Sequence, residues 1–220
     1  GLVILADGMG GYNAGEVASQ MTTSLLMEGI SGKLNAGLQG NKNPIHFKPA
    51  ELHILLQEQI SLCNYAIFQT AQNKKECAGM GTTLVACLFY DNKLIVAHIG
   101  DSRLYRMRSG TLTQVTRDHS LLQEQIDSGL LTPEEAKFAP NKNLVTRALG
   151  IEAKVSAEIH DYPTQTGDVY CLCSDGLSDM VSDPEIAVVL DNLGEYPDAA
   201  AEQLIDMANE RGGRDNISVI

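Results

Sequence analysis

TTLVACLFYDNKLIVAHIGDSRLYRMRSGTLTQVT, residues 82–116, decides the fold. Four runs within it, 82–90, 93–99, 103–108 and 111–116, carry the β-branched, aromatic and apolar residues that suit a pleated surface. Asp91-Asn92 and Ser109-Gly110 separate runs by two residues each. Links that short join only antiparallel neighbours, and these residue types tolerate the positive φ that hairpin turns need. The stretch therefore reads as an antiparallel meander.

Helical patterns lie on both sides of it. Residues 15–28 place Val17, Ala18, Met21, Leu25 and Leu26 at helical spacing. The glycines and asparagines between Gly29 and Asn43 predict a loop over 29–48. Pro49 then opens a helix to about Gln72, with Leu52, Leu55, Leu56, Gln59, Ile60, Cys63 and Ile67 on one stripe. After the meander, 119–137 turns helical, and Thr132-Pro133-Glu134-Glu135 has the form of a capping box. Residues 1–6, 144–148, 153–160, 168–174 and 217–220 read as extended, and helices start at Asp183 and near 197. Helices grouped at two places around a run of strands predict an α+β fold with antiparallel sheets. A chain of 220 residues, 44% hydrophobic, suits one large domain with a sizeable core.

Charge and cysteines narrow the function classes. A net charge of −12 argues against nucleic-acid and anionic-membrane binding, which both require a basic patch. No apolar run approaches the roughly 20 residues of a membrane span. No signal peptide is visible, and the abrupt opening on a strand leads us to expect an upstream segment. Cys63, Cys77, Cys87, Cys171 and Cys173 are odd in number and sit mostly in apolar runs. They read as reduced core thiols of a cytoplasmic protein. Neither they nor the histidines have zinc-site spacing.

The chemistry lies at the strand ends. Asp7-Gly8 follows Leu2-Val3-Ile4-Leu5-Ala6, Asp101 follows the run ending Ile99-Gly100, and Asp175-Gly176 follows Val169-Tyr170-Cys171-Leu172-Cys173-Ser174. A fourth, Asp215-Asn216, precedes Ile217-Ser218-Val219-Ile220. Each alone is an ordinary turn. A carboxylate delivered by a buried strand is costly unless paired or metal-bound, and only Arg103 and Arg214 offer cations in these turns. Four together point to a divalent-metal centre. Oxygen donors without His or Cys favour Mg²⁺, Mn²⁺ or Ca²⁺ over zinc or copper. A pair of such ions serves phosphoryl chemistry by activating water and neutralising phosphate charge. His98, inside a strand, reads as a core residue, and His119 as a cap for the following helix. His46, His53 and His160 have no evident partner. Ser102 and Ser174 lack a base at recognisable spacing, which argues against a serine nucleophile.

These turns belong to a longer series. Asp7-Gly8-Met9-Gly10-Gly11, Gly79-Met80-Gly81-Thr82-Thr83, Gly100-Asp101-Ser102-Arg103-Leu104-Tyr105, Asp118-His119-Ser120, Leu144-Val145-Thr146-Arg147-Ala148-Leu149-Gly150, Ser174-Asp175-Gly176-Leu177-Ser178-Asp179 and Gly213-Arg214-Asp215-Asn216 follow one another along the chain. In this order they resemble the metal-dependent serine/threonine protein phosphatases of type 2C, especially the bacterial branch. The resemblance spans residues 1–220. It implies a four-layer α/β/β/α sandwich, two antiparallel sheets flanked by helices. It implies hydrolysis of phosphoserine and phosphothreonine in a phosphorylated protein substrate by water, without a covalent intermediate. The implied cofactors are two Mn²⁺ or Mg²⁺ ions, with a weaker third in bacterial members. Asp7 would bridge two ions, Asp175 and Asp215 would complete the first site, and the Gly8 carbonyl would serve the second. Asp101, with Asp175, would hold the third. Residues at about 118–147 would form a flap beside the site.

Three departures accompany the resemblance. The family carries a phosphate-gripping arginine and an acidic ligand on a strand before the Asp-Gly motif, and these are expected upstream of Gly1; the last strand is likewise expected to continue beyond Ile220. Met9 stands where many eukaryotic members have a histidine, and Ala139-Pro140 replaces the usual His-Pro of the flap. Two rival readings keep the same fold: a non-catalytic phosphoprotein-binding module, against which the intact Asp7, Asp101, Asp175 and Asp215 argue, and a phosphatase of small phosphate esters. A calcium buffer would need a dedicated loop such as an EF-hand, which is absent.

Overall fold

The structure, a computed structural model, describes residues 1–11, 14–39, 47–136, 139 and 144–220. They divide into two compact units, residues 1–99 with 147–163, and residues 100–146 with 164–220.

The first unit runs β1 (Leu2–Leu5), β2 (Gly8–Met9), α1 (Ala14–Gln39), α2 (Pro49–Asn73), β3 (Gly81–Thr82), β4 (Leu84–Tyr90) and β5 (Lys93–Ile99). The second contributes β6 (Arg103–Arg108), β7 (Thr111–Gln114), α3 (Leu121–Asp127) and α4 (Pro133–Ala136) before the chain returns to the first for β8 (Glu158–Pro163). It closes with β9 (Val169–Cys173), α5 (Asp175–Ser178), α6 (Asp183–Leu193) and α7 (Pro197–Glu210).

Paired apolar strands build the core of the first unit. Its main sheet has the order β1-β4-β5-β8, antiparallel throughout, with Leu5 opposite Val85 and Ala86 opposite Ala97. Leu84, Ala86 and Leu88 on β4 share a buried cluster with Ile95, Ala97 and Ile99 on β5. Leu26, Ile30, Leu52, Leu56, Ile60 and Ile67 of the two helices complete that cluster. Val85, Cys87, Leu94 and Val96, on the opposite pleat, are buried as well. Burial on both faces accounts for runs that are continuously apolar rather than alternating.

Helix α1 corrects the expected loop over 29–48. It continues to Gln39, and residues 40–46 lie outside the described residues. Leu26, Ile30 and Leu34 keep a four-residue spacing against the core. Their burial outweighs the roughly 1 kcal/mol that each interior glycine costs a helix. Gly29 is used for contact, since a Cβ there would lie 2.0 Å from Gln59 Oε1 on α2. The second helix spans Pro49–Asn73, as the apolar stripe predicts.

The meander is also corrected. Asp91-Asn92 and Ser109-Gly110 do form the expected turns, with φ of 45° and 57°, and of 49° and 73°. Strand β6, however, pairs with β7 and β9 in a separate sheet of order β7-β6-β9, not with β5. Gly100, at φ 99°, begins the turn from β5 into β6. Two hairpins in separate sheets replace one four-stranded meander.

The second unit buries Tyr105, Met107, Cys171 and Cys173 against Ile186, Val189, Leu190, Leu204 and Ala208 of α6 and α7. The predicted helix over 119–137 is two short helices, because Gly129 turns the chain at φ 74°; residues 137 and 138 lie outside the described residues. The capping box is formed, with Thr132 N–H donating to Glu135 Oε2 at 2.8 Å and Glu135 N–H to Thr132 Oγ1 at 3.2 Å. Residues 144–148 make one isolated bridge, Ser120 with Val145, rather than a strand, and the predicted strand over 153–160 begins only at Glu158. Residues 217–220, expected as a strand, make one isolated bridge, Val219 with Cys173, beside which Leu172 and Ile220 exchange both backbone hydrogen bonds at 2.9 Å. All five cysteines are free and buried. Burial pushes the Cys63 thiol up to about 11 and those of Cys87 and Cys171 to about 12, leaving them protonated and unreactive near neutrality.

Candidate metal centre

In the first unit the Asp7 turn is held by its backbone. The Thr83 N–H donates to the Asp7 carbonyl at 2.8 Å, and the Asp7 N–H donates to Thr83 Oγ1 at 3.0 Å. The Thr82 hydroxyl donates to the same carbonyl at 2.8 Å. Gly8 and Met9 pair with Thr82 and Gly81 as a two-stranded ribbon. A Cβ on Gly8 would lie 1.9 Å from the Gly15 carbonyl oxygen, so only glycine lets β2 pass the start of α1. The Gly79–Thr83 motif thus has a local purpose, which is to fix Asp7.

In the second unit three turns meet at one cavity of about 570 Å³. Asp101, Asp175 and Asp215 all line it. Ser174 binds two of these turns together. Its hydroxyl donates to the Asn216 carbonyl at 3.1 Å and accepts from the Ser218 N–H at 3.0 Å. Gly176 lets the backbones touch, since a Cβ there would lie 2.3 Å from the Asn216 carbonyl oxygen. The Asp101 turn is clamped by the next segment. Gly100 N–H donates to His119 Nδ1 at 3.1 Å, and His119 N–H donates back to the Gly100 carbonyl at 2.9 Å. His119 is therefore not the helix cap; Ser120 is, accepting from the Gln123 N–H. His98 is buried as expected, with Glu158 at 3.9 Å. His53, without a sequence partner, meets Asp161 at 2.5 Å. His46 lies outside the described residues.

Two further carboxylates, Asp118 and Asp179, line the same cavity. The sequence reading singles out neither as a site residue, although Asp118 opens one quoted motif and Asp179 closes another. Asp118 is engaged by Arg103, whose Nε and Nη2 reach it at 3.1 and 2.7 Å, and by Gln114 Nε2 at 2.8 Å. Tyr105 takes the remaining side of that guanidinium at 2.9 Å and donates to Asp183 at 2.8 Å.

Asp101 reports the electrostatics. It is 8% exposed. Burial first, then the negative charges of Asp175, Asp118 and Asp179, push its carboxyl up to about 7, against the lowering effect of a backbone hydrogen bond. A carboxylate cluster this short of positive charge, with oxygen donors only, fits a hard divalent cation and does not fit a soft one. A proton and a cation compete for Asp101. Mn²⁺ affinity at this residue should rise with pH by up to about tenfold per unit below pH 7 and level off above it. Calorimetry in buffers of different ionisation enthalpy should show up to one proton released at pH 6 and few at pH 8; pH-independent affinity without proton release would contradict the cluster as described.

Antiparallel α+β units that deliver carboxylates to strand ends suit metal-dependent hydrolysis of phosphate esters. The chain belongs to the protein phosphatase 2C family, whose profile matches residues 1–209. It is 38% identical over 219 residues to the serine/threonine phosphatase stp of Listeria welshimeri, covering 100% of this chain and 82% of that one. Its structure is similar to the crystal structure of the Mycobacterium tuberculosis serine/threonine phosphatase PstP/Ppp, with a TM-score of 0.84 at 40% identity over 99% of this chain and 86% of the other. It is also similar to the catalytic domain of PstP in complex with two manganese ions, at a TM-score of 0.78 and 39% identity, covering 99% and 85%.

Proposed function

We propose that Asp7, the Gly8 carbonyl, Asp101, Asp175 and Asp215 are the metal ligands of this protein phosphatase. The chain is a metal-dependent serine/threonine phosphatase acting on phosphoproteins. One observation carries the ligand assignment: Asp101, Asp175 and Asp215 line one cavity together with Asp118 and Asp179, all with oxygen donors. Asp7 and Gly8 join the set through their family motif and the backbone fixation of their turn. Two Mn²⁺ or Mg²⁺ ions bound by these residues supply Lewis acidity toward the phosphoryl oxygens and make water a nucleophile at neutral pH.

The remaining groups orient and support. Arg103 fixes Asp118, whose charge adds to the negative potential on Asp101. Ser174 is fully buried, and its hydroxyl is held between the Asn216 carbonyl and the Ser218 N–H. Ser102 is 1% exposed. Neither is placed to attack a phosphate, which supports direct attack by water.

Residues at about 118–147 act as a flap in this reading. Its ends are joined within the second unit, where Thr146 N–H donates to the His119 carbonyl at 2.8 Å and Leu121 N–H to the Leu144 carbonyl at 2.9 Å. Ser120, Leu122 and Ala136 reach the cavity; Pro140 lies outside the described residues. We read residues 1–220 as one catalytic domain, on a family match that runs from 1 to 209. Among the described residues no helix is long and apolar enough to cross a membrane. Five buried free thiols support a cytoplasmic protein, and the charge of −12 argues against nucleic-acid and anionic-membrane partners.

The test is hydrolysis of a phosphothreonine peptide. Turnover should require Mn²⁺ or Mg²⁺ and stop with EDTA. In a single turnover in H₂¹⁸O, one labelled oxygen should enter the released phosphate. A phospho-enzyme trapped at Ser102 or Ser174 would overturn direct attack by water.

A further inference from the structure

Two arginines line the carboxylate cavity. Arg103 has its guanidinium committed to Asp118 and Tyr105. Arg214 is exposed and, among the described residues, makes no hydrogen bond or ion pair. It stands on an anchored loop. On one side Arg211 binds Glu185 at 2.6 Å and the Met180 carbonyl at 2.9 Å, and Gly212 and Gly213, at φ 119° and 47°, close the end of α7. On the other side Asn216 is held by Ser174. The backbone carrying Arg214 is therefore fixed while its side chain is uncommitted.

The position has a chemical consequence. Asp101 is buried and Arg214 exposed, and both line the cavity. A phosphorylated side chain delivered to the aspartates leaves part of the roughly 570 Å³ for neighbouring residues of the substrate. The chain as a whole, at −12, repels acidic polypeptides. An exposed guanidinium lining the cavity offsets that locally and presents a planar fork suited to a carboxylate.

We propose that Arg214 selects phosphoprotein substrates carrying an acidic residue next to the phosphorylated serine or threonine, by pairing with that residue's carboxylate. This rests on the phosphatase reading above and assigns a specificity residue to the same site.

The experiment uses the Mn²⁺-loaded protein and three phosphothreonine peptides that differ only in flanks of glutamate, glutamine or lysine. Wild type should prefer the glutamate peptide. In Arg214→Gln the ratio of kcat/KM for the glutamate peptide over the glutamine peptide should fall roughly five- to tenfold, the size of one charge-assisted hydrogen bond, mainly through KM. Arg214→Glu should shift preference to the lysine peptide. Calorimetric Mn²⁺ titration and thermal melting of each variant should match wild type, separating a lost substrate contact from a disturbed Asp215. An unchanged ratio would overturn the inference. So would an equal loss on all three peptides and on p-nitrophenyl phosphate, which would assign Arg214 to the phosphoryl group or to the support of Asp215. Absence of hydrolysis by wild type would overturn the phosphatase reading itself, whereas hydrolysis with a flat ratio overturns the role of Arg214 alone.

Discussion

Asp175→Asn should lower kcat on phosphothreonine peptides by roughly a thousandfold or more at saturating Mn²⁺, because an ion at a reacting phosphoryl group contributes several kcal/mol to the transition state. The fold should survive. Asparagine keeps the volume, and the turn is held by groups other than the Asp175 carboxylate: the Ser174 hydroxyl, the contact of Gly176 with Asn216, and the Asp179 N–H donating to the Asp175 carbonyl at 2.8 Å. Asp101→Asn should cost less, roughly ten- to a hundredfold, if Asp101 serves only an outer ion, and should retain some activity on small aryl phosphates. Initial rates on both substrate types, with circular-dichroism melts of each variant, decide between the two roles. Equal and complete loss in both variants with intact melts would reject the division of labour.

The same Asp101→Asn substitution should stabilise the metal-free protein. The wild-type carboxyl is raised to about 7 in the fold, above its ordinary value near 4 in an unfolded chain. A raised value means the folded state holds the proton more tightly. This group's contribution to stability is full below about pH 4, is lost as pH rises toward 7, and stays lost above it. One group shifted this far accounts for on the order of 4 kcal/mol, so removing its charge should recover about 2–4 kcal/mol at pH 8. For a chain of this length that is a rise in Tm of roughly 5–15 °C. Unfolding in EDTA at pH 8 and at pH 4 measures it: the variant should gain at pH 8, and the difference should close at pH 4. Saturating Mn²⁺ should reverse the order, because only wild type gains the full binding energy. A variant less stable than wild type in EDTA at both values would show that Asp101 is not electrostatically strained.

The two expectations share a cause that is legible in the primary structure only in part. That Asp7, Asp101, Asp175 and Asp215 end or begin apolar runs is visible in the chain, and so is the shortage of neighbouring cations. That Asp118 and Asp179 add their charges to Asp101 is not, because the residues lie 17 and 78 positions away and meet only through the turns that bring them to one cavity. The strand before Asp118, residues 111–116, has only Leu112 and Val115 as apolar residues, so the signal of an apolar strand end passes over it. The purposes of Thr82, Thr83 and Ser174 were hidden for a related reason. Each acts through a hydrogen bond to backbone more than 40 residues away, and no local pattern encodes such a partner.

Local chemistry alone determined strands β4 to β7 and their hairpins, since β-branched, aromatic and apolar side chains and positive-φ turn residues act over a few positions. It determined the long helix at Pro49, and the oxygen-only character of the ligand set. Tertiary packing decided the rest. It carried α1 through Gly29 and Gly32, because buried Leu26 and Ile30 outweigh glycine's propensity cost, which a reading of loop residues alone overstates. It sent β5 and β6 into different sheets at Gly100, a choice between equally good antiparallel partners that only the surrounding core can make. It left Arg103 spent on Asp118 and, among the described residues, Arg214 without a partner where it lines the cavity, because a guanidinium's partner is set by which carboxylate the fold brings within reach.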